Sequence, residues 1–165
     1  MNQTVIDSKA AVVEEIVKKF NDAESTVVVE YRGLSVAEVT ELRRALREEG
    51  CEMKVYKNSL TQRAAEKAGL NELTENLVGP NALAFGGDAV APSRVLMKFA
   101  KTHEKLVVKT GVVEGKVVDV NTIKQLSTLP GREGMLSMLL SCLQSPVRGF
   151  ACAVKAVADQ KEQEA

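Results

Sequence analysis

The chain has 165 residues, of which 45% are hydrophobic and 4% aromatic, with no tryptophan; that is enough for one ordinary domain and an appendage, with a core of Val, Leu, Ile and Ala. Lysine plus arginine and aspartate plus glutamate both total 22, so bulk charge gives no warrant for nucleic-acid binding, and any such site needs cations gathered on one face. Cys51, Cys142 and Cys152 are widely spaced and His103 is the one histidine, a set that reads as reduced cytosolic thiols and a helix-surface residue rather than metal ligands.

At the start, Asp7 and Ser8 offer N-caps for a helix whose apolar positions Ala11, Val12, Ile16 and Phe20 recur at three and four residues, ending near Asn21. Asp7, Lys9, Glu14, Glu15, Lys18 and Lys19 leave no room there for the apolar stretch of a signal peptide. The longest charge-free apolar stretch, Gly134 to Val147, falls below the roughly 18 residues of a membrane span. A soluble, cytoplasmic protein is expected.

Thr26 to Tyr31 is β-branched and predicts a largely buried strand, followed by the loop Arg32-Gly33-Leu34. Ser35 and Glu38 form an S-x-x-E capping box, and Val39, Leu42 and Leu46 line a helix stopped by Gly50. Cys51 to Tyr56 predicts a second strand, with Met53 and Val55 on one face and Lys54 and Tyr56 on the other; Asn58 then caps a helix towards Ala68 and Gly69. Leu77-Val78-Gly79-Pro80 breaks the chain before a third strand, Asn81 to Phe85, and the turn Gly86-Gly87-Asp88. Pro92 suits the first turn of a helix to about His103. Leu106 to Lys109, Val112-Val113 and Gly115 to Val118 suggest a strand and hairpin, and a short helix from Asn121 closes near Leu129. This alternation predicts an α/β fold of the α+β sandwich kind: a mixed open sheet flanked by helices, plus an extended kinked C-terminal helix.

Pro130-Gly131 is the clearest boundary, dividing a domain at 1–129 from a helical segment at 130–165. Beyond it Leu136, Leu143, Phe150 and Val157 repeat every seven residues, with Leu140, Val147 and Val154 as a second row. Pro146 removes a backbone donor midway, so a kink is expected to divide the helix into Glu133 to Ser145 and Val147 to Asp159. Gln160 to Ala165 is polar and expected to fray. Three readings of the stripe compete: it folds back as ordinary core, it pairs with itself as a coiled coil, or it receives another protein's helices. The Pro-Gly break speaks against the first, and Pro146 and Gly149 against the second.

Basic candidates for a nucleic-acid face are Lys9, Arg32, Arg43, Arg44, Arg47, Lys54, Lys57, Arg63 and Lys67. Scattered cations of this kind also suit plain solvated surface. Arg32 follows one strand, however, while Lys54 and Lys57 lie along the next, so strand ends and a helix start could form one phosphate-facing surface. Tyr31 and Tyr56 are stacking candidates, against the commoner alternatives of core packing or surface pairing. For the competing enzyme class the chain lacks G-x-G-x-x-G opening a helix, a G-x-x-x-x-G-K-[ST] loop and a G-x-S-x-G elbow. Cys51 with His103 is the remaining nucleophile–base pair, and it is unspecific.

Several motifs agree in order along the whole chain: Tyr31-Arg32-Gly33-Leu34-Ser35, Leu42-Arg43, Lys54-Val55-Tyr56-Lys57-Asn58-Ser59-Leu60, Gly79-Pro80-Asn81, and Leu126 to Pro130 before an amphipathic helix. Together they resemble the family of bacterial large-subunit ribosomal protein ten. The resemblance implies a scaffold without catalysis or cofactor. Its N-terminal domain would bind large-subunit ribosomal RNA beside ribosomal protein eleven, and its C-terminal helix would anchor dimers of the acidic stalk protein that recruit GTP-bound translation factors. Carried over, Lys9, Arg32, Gly33, Lys54, Lys57, Asn58, Gly79 and Pro80 fall in the RNA-facing region, with Tyr31, Arg43 and Arg63 as further candidates. Lysine and arginine would neutralise phosphate, and the glycines and Pro80 would shape loops for backbone approach. Leu136, Leu139, Leu140, Leu143, Val147, Phe150, Val154 and Val157 would form the spine, whose length suggests two dimers.

Overall fold

A run of three valines sets the centre of the fold. In the strand β1 (Ser25–Glu30), Val27, Val28 and Val29 are all fully buried, and because successive side chains point to opposite faces, the sheet must be covered on both sides. The computed structural model describes residues 3–103 and 105–163, which fall into two compact units, Met1–Leu129 and Pro130–Ala165.

In the first unit the elements run α1 (Gln3–Asp22), β1, α2 (Val36–Glu48), β2 (Cys51–Lys54), α3 (Asn58–Lys67), α4 (Asn71–Thr74), β3 (Asn81–Gly86), α5 (Ala91–Thr102), β4 (Val107–Val113), β5 (Lys116–Asp119) and α6 (Val120–Ser127). The strands form one open sheet in the order β2-β3-β1-β4-β5. On one face Val27 and Val29 pack with Leu42 and Leu46 of α2, Leu96 of α5 and Ile123 of α6. On the other, Val28 packs with Val13, Ile16 and Phe20 of α1, Ala64 and Ala65 of α3, and Leu73 of α4. Burying such side chains contributes about 1.5 to 3 kcal/mol each before ordering costs.

The expected open sheet flanked by helices is present, but every pairing in it is antiparallel rather than mixed. β1 and β2, joined by α2, do run in the same direction; β3 lies between them and pairs with both, so no parallel neighbours remain. Other boundaries shift too. α1 begins before Asp7, and its buried face is Val13, Ile16 and Phe20 rather than one that includes the exposed Ala11. β2 stops at Lys54, leaving Val55 46% exposed. α4 is too short to leave a periodic signature.

β4 carries the one irregularity that matters for the site. Its pairing with β1 steps from Val28↔Thr110 to Val29↔Val108, which leaves Lys109 as an extra, unpaired residue. Such a β-bulge switches the side-chain alternation. Val108 therefore joins the α2 face of the core while Val112, four residues on, joins the α1 face.

The second unit is a single helix, α7 (Arg132–Gln163), with Pro146 inside it. The expected division at Pro146 does not occur. Proline leaves the Cys142 carbonyl without its i+4 donor, but the turns on both sides retain theirs, and the helix runs through. At its start the Met135 amide donates to the Gly131 carbonyl at 2.9 Å. A Cβ on Gly134 would lie 2.7 Å from the Pro130 Cβ, so glycine permits that close first turn.

Candidate nucleic-acid interface and docking helix

Register decides which loops meet. Glu30 pairs with Asn81 on one side and Val107 on the other, and Lys54 pairs with Leu83. One end of the sheet thus gathers the loop after β1 (Tyr31, Arg32, Gly33), the segment after β2 (Lys57, Asn58) and the turn before β3 (Gly79, Pro80). Arg32 and Lys57 are exposed there and make no ion pair among the described residues. Gly33 and Gly79 have φ of +86° and +87°, in the left-handed region that glycine adopts without strain.

Asn58 does not cap α3. The N-cap is Lys57, without a side-chain bond, and Asn58 instead donates Nδ2 to the Gly79 carbonyl at 2.7 Å, tying two of the three loops together. Lys109 reaches the same turn from β4. Its Nζ donates to the Val78 carbonyl at 2.6 Å and to Asn81 Oδ1 at 3.2 Å, and pairs with Glu30 Oε2 at 2.7 Å. Glu30 and Lys109 are not among the sequence candidates, and Asn81 entered only as the last residue of the Gly79-Pro80-Asn81 motif. The only signal was a carboxylate ending one apolar strand and a lysine interrupting another, and it acquires meaning only once the register is known.

The remaining candidates are placed differently. Lys54 is held by Glu15 at 3.0 Å and Glu52 at 3.4 Å, and Lys19 pairs with Glu52 as well. Tyr56 packs against the α1 face of the core and donates to Glu15 at 3.1 Å. The Glu15 carboxyl is held below its ordinary value by the Lys54 hydrogen bond and then by that of Tyr56. The Tyr56 hydroxyl is pushed up to about 12 by burial and then by its bond to Glu15. These groups link α1 to the edge strand, so phosphate would compete with two carboxylates for Lys54. Tyr31 packs against the α2 face of the core. Arg43 lies with Arg47 beside Glu52, Met53 and Lys54, along the β2 edge. Lys9 on α1 and Arg63 on α3 stand exposed, and no contact ties either to the sheet end among the described residues.

Along α7, Leu136, Leu139, Leu140, Leu143, Val147, Phe150, Val154 and Val157 are between 53% and 74% exposed. Met135 and Met138, also exposed, widen the stripe beyond what the heptad pattern suggested. The nucleophile–base pair does not form: Cys51 is buried, its thiol pushed up to about 11 by burial and then by Glu49, while His103 stacks on Phe99 and faces Glu38.

A family model for ribosomal protein L10 matches residues 5–101, and one for the C-terminal region of ribosomal protein uL10 matches residues 129–165. The chain belongs to the ribosomal protein L10 family. Among its relatives are the large ribosomal subunit proteins uL10 of Bacillus cereus strain B4264 and Bacillus anthracis strain A0248. Each is 60% identical over 161 residues, covering 97% of this chain and 97% of the relative. A uL10 protein is a structural component of the large ribosomal subunit and not an enzyme. The two L10 family matches leave out residues 102–128, the stretch that carries β4 with its bulge, β5 and α6. Among the described residues, no helix is long and apolar enough to cross a membrane.

Proposed function

We propose that this protein is the base of the ribosomal stalk, with residues 1–129 as an RNA-binding domain and residues 130–165 as a spine for other proteins. The sheet end carrying Arg32, Gly33, Lys57, Asn58, Gly79 and Pro80 takes large-subunit ribosomal RNA beside ribosomal protein eleven. Arg32 and Lys57, without ion pairs among the described residues, supply the cations, and the two positive-φ glycines let backbone approach phosphate. Lys9, Tyr31, Arg43, Lys54 and Arg63 contribute less directly, at the flanks of that surface.

The observation that carries the reading is the continuous apolar stripe along α7. From Leu136 to Val157 it extends about 30 Å along the helix axis, and a contiguous apolar patch of that kind marks a protein-binding surface. Dimers of an acidic stalk protein lay their own apolar faces on it, one on Leu136, Leu139, Leu140 and Leu143 and a second on Val147, Phe150, Val154 and Val157. The dimers in turn bring GTP-bound translation factors to the ribosome. Burial of four apolar side chains at about 1.5 to 3 kcal/mol each is enough for tight association after ordering costs.

Native mass spectrometry of the full chain purified from its own cells tests this. Four copies of a small acidic protein are expected on the wild type and two on Leu143→Asp, because a carboxylate buried in an apolar groove costs more than the methyl groups lost. A bare monomer, a homodimer, or unchanged stoichiometry in Leu143→Asp would overturn the assignment.

A further inference from the structure

The turn at Val78-Gly79-Pro80 is held more firmly than an exposed loop needs to be. Asn58 grips the Gly79 carbonyl from α3, and Lys109 grips the Val78 carbonyl and the Asn81 side chain from β4. The Glu30 carboxylate anchors the lysine from β1. A Cβ on Gly79 would sit 3.7 Å from Lys109 Nζ and 3.9 Å from both Glu30 oxygens, so the turn lies directly over the ion pair. Lys109 gets there because it is the bulged residue of β4, and bulges re-aim side chains beside functional sites.

Two features indicate that the cluster is kept for geometry. Asn81 Nδ2 is buried without a hydrogen-bond partner among the described residues, a cost that a purely stabilising arrangement would avoid. Glu30 also places a carboxylate at the sheet end expected to meet phosphate, where a bare negative charge would repel RNA. Lys109 cancels it, and the pair is neutral as a unit.

We propose that Lys109 is a positioning residue: re-aimed by the bulge, it bolts the Val78-Gly79-Pro80 turn to Glu30 and Asn81 and so presets the backbone that meets ribosomal RNA, without itself touching phosphate. This rests on the RNA-binding reading above. A lysine already neutralised by Glu30 releases no counterion when RNA binds, so loss of the two charges together, which leaves no bare carboxylate, weakens binding while leaving the salt dependence alone. Lys57, unpaired, behaves in the opposite way.

Two measurements on the full chain separate these roles: amide hydrogen exchange at Asn81 and Ala82, the buried strand residues that follow the turn, and binding to purified large-subunit ribosomal RNA over a salt series. Lys109→Met combined with Glu30→Gln, which keeps the site neutral, is expected to speed exchange at those amides at least tenfold and to weaken RNA binding about tenfold with an unchanged salt slope, whereas Lys57→Ala lowers the slope by about one. Glu30→Gln alone keeps the side-chain shape and decides the matter even if the double variant fails to fold. A positioning lysine loses its anchor and binding weakens; a phosphate-contacting lysine is set free, and binding tightens with a steeper slope. Unchanged exchange in the double variant, or tighter binding by Glu30→Gln alone, overturns the proposal. If the wild type does not bind the RNA at all, the RNA reading falls together with the purpose given to the turn, while the exchange data still report separately whether Lys109 holds it.

Discussion

Ser35 and Glu38 close the start of α2 reciprocally: the Glu38 amide donates to Ser35 Oγ at 3.3 Å, and the Ser35 amide donates to Glu38 Oε2 at 2.6 Å. The Ser35 backbone bond, followed by its hydroxyl, holds the Glu38 carboxyl below its ordinary value of 4.5. A carboxyl whose folded value is depressed contributes stability that is fully present above its unfolded value and is lost as pH falls through the folded one. Wild type should therefore be more stable than Glu38→Gln at neutral pH, and the two should converge as pH drops from about 4.5 through the lowered value. Urea midpoints measured across that range check this, and a constant gap would show that the charge plays no part. The same residue-scale logic separates the basic candidates. Lys54 and Lys57 look alike in the sequence, yet Lys54 is engaged by two carboxylates and Lys57 by none among the described residues. No spacing rule distinguishes them, because Glu15 lies on an element distant in sequence.

Elements announced by local chemistry were legible. The capping box, Gly50 with φ of +70° after α2, Pro92 at the start of α5 and the Pro130-Gly131 break each act within a few residues of chain. Those that depend on distant partners were not. β4 read as two broken pieces because its alternation is switched at Lys109 by pairing with β1, and Asn58 read as a cap because its true partner, Gly79, belongs to another turn. In α7 the expectation failed in the other direction: Pro146 costs one backbone bond, which a helix of 32 residues absorbs. Replacing it should restore that bond. Pro146→Ala is expected to slow amide exchange in the flanking turns several-fold, since proline is about 3 kcal/mol worse than alanine inside a helix, and to leave the number of stalk-protein copies unchanged. Loss of a copy would mean that the local backbone at Pro146, rather than the stripe, sets the attachment.

At the scale of the whole molecule, a core lies on each face of one sheet. Ile16 and Leu42 are fully buried on opposite faces, and truncation of either should cost about 2 to 5 kcal/mol. Because β1 serves both cores, Ile16→Ala and Leu42→Ala should each lower the midpoint of a single cooperative transition in urea; two transitions, each sensitive to only one variant, would mean that the faces unfold independently. Neutral overall charge also becomes intelligible here. Glu15 and Glu52 are engaged by Lys19 and Lys54 beside α1, while Arg32 and Lys57 have no ion pair among the described residues, so zero net charge and a basic face coexist.

The extra residue in β4 makes that strand behave as a phase shifter. On one side of Lys109 the chain feeds the α2 core, on the other the α1 core, and the count of residues between Val108 and Val112 keeps the two in step. Deleting one residue there would restore perfect pairing with β1 and, in doing so, turn half the strand inside out. The position where the ladder is least regular is thus the one where the length of the chain is most tightly fixed: a point change at Lys109 loosens the turn it holds, whereas an insertion or deletion there misplaces the packing on both faces.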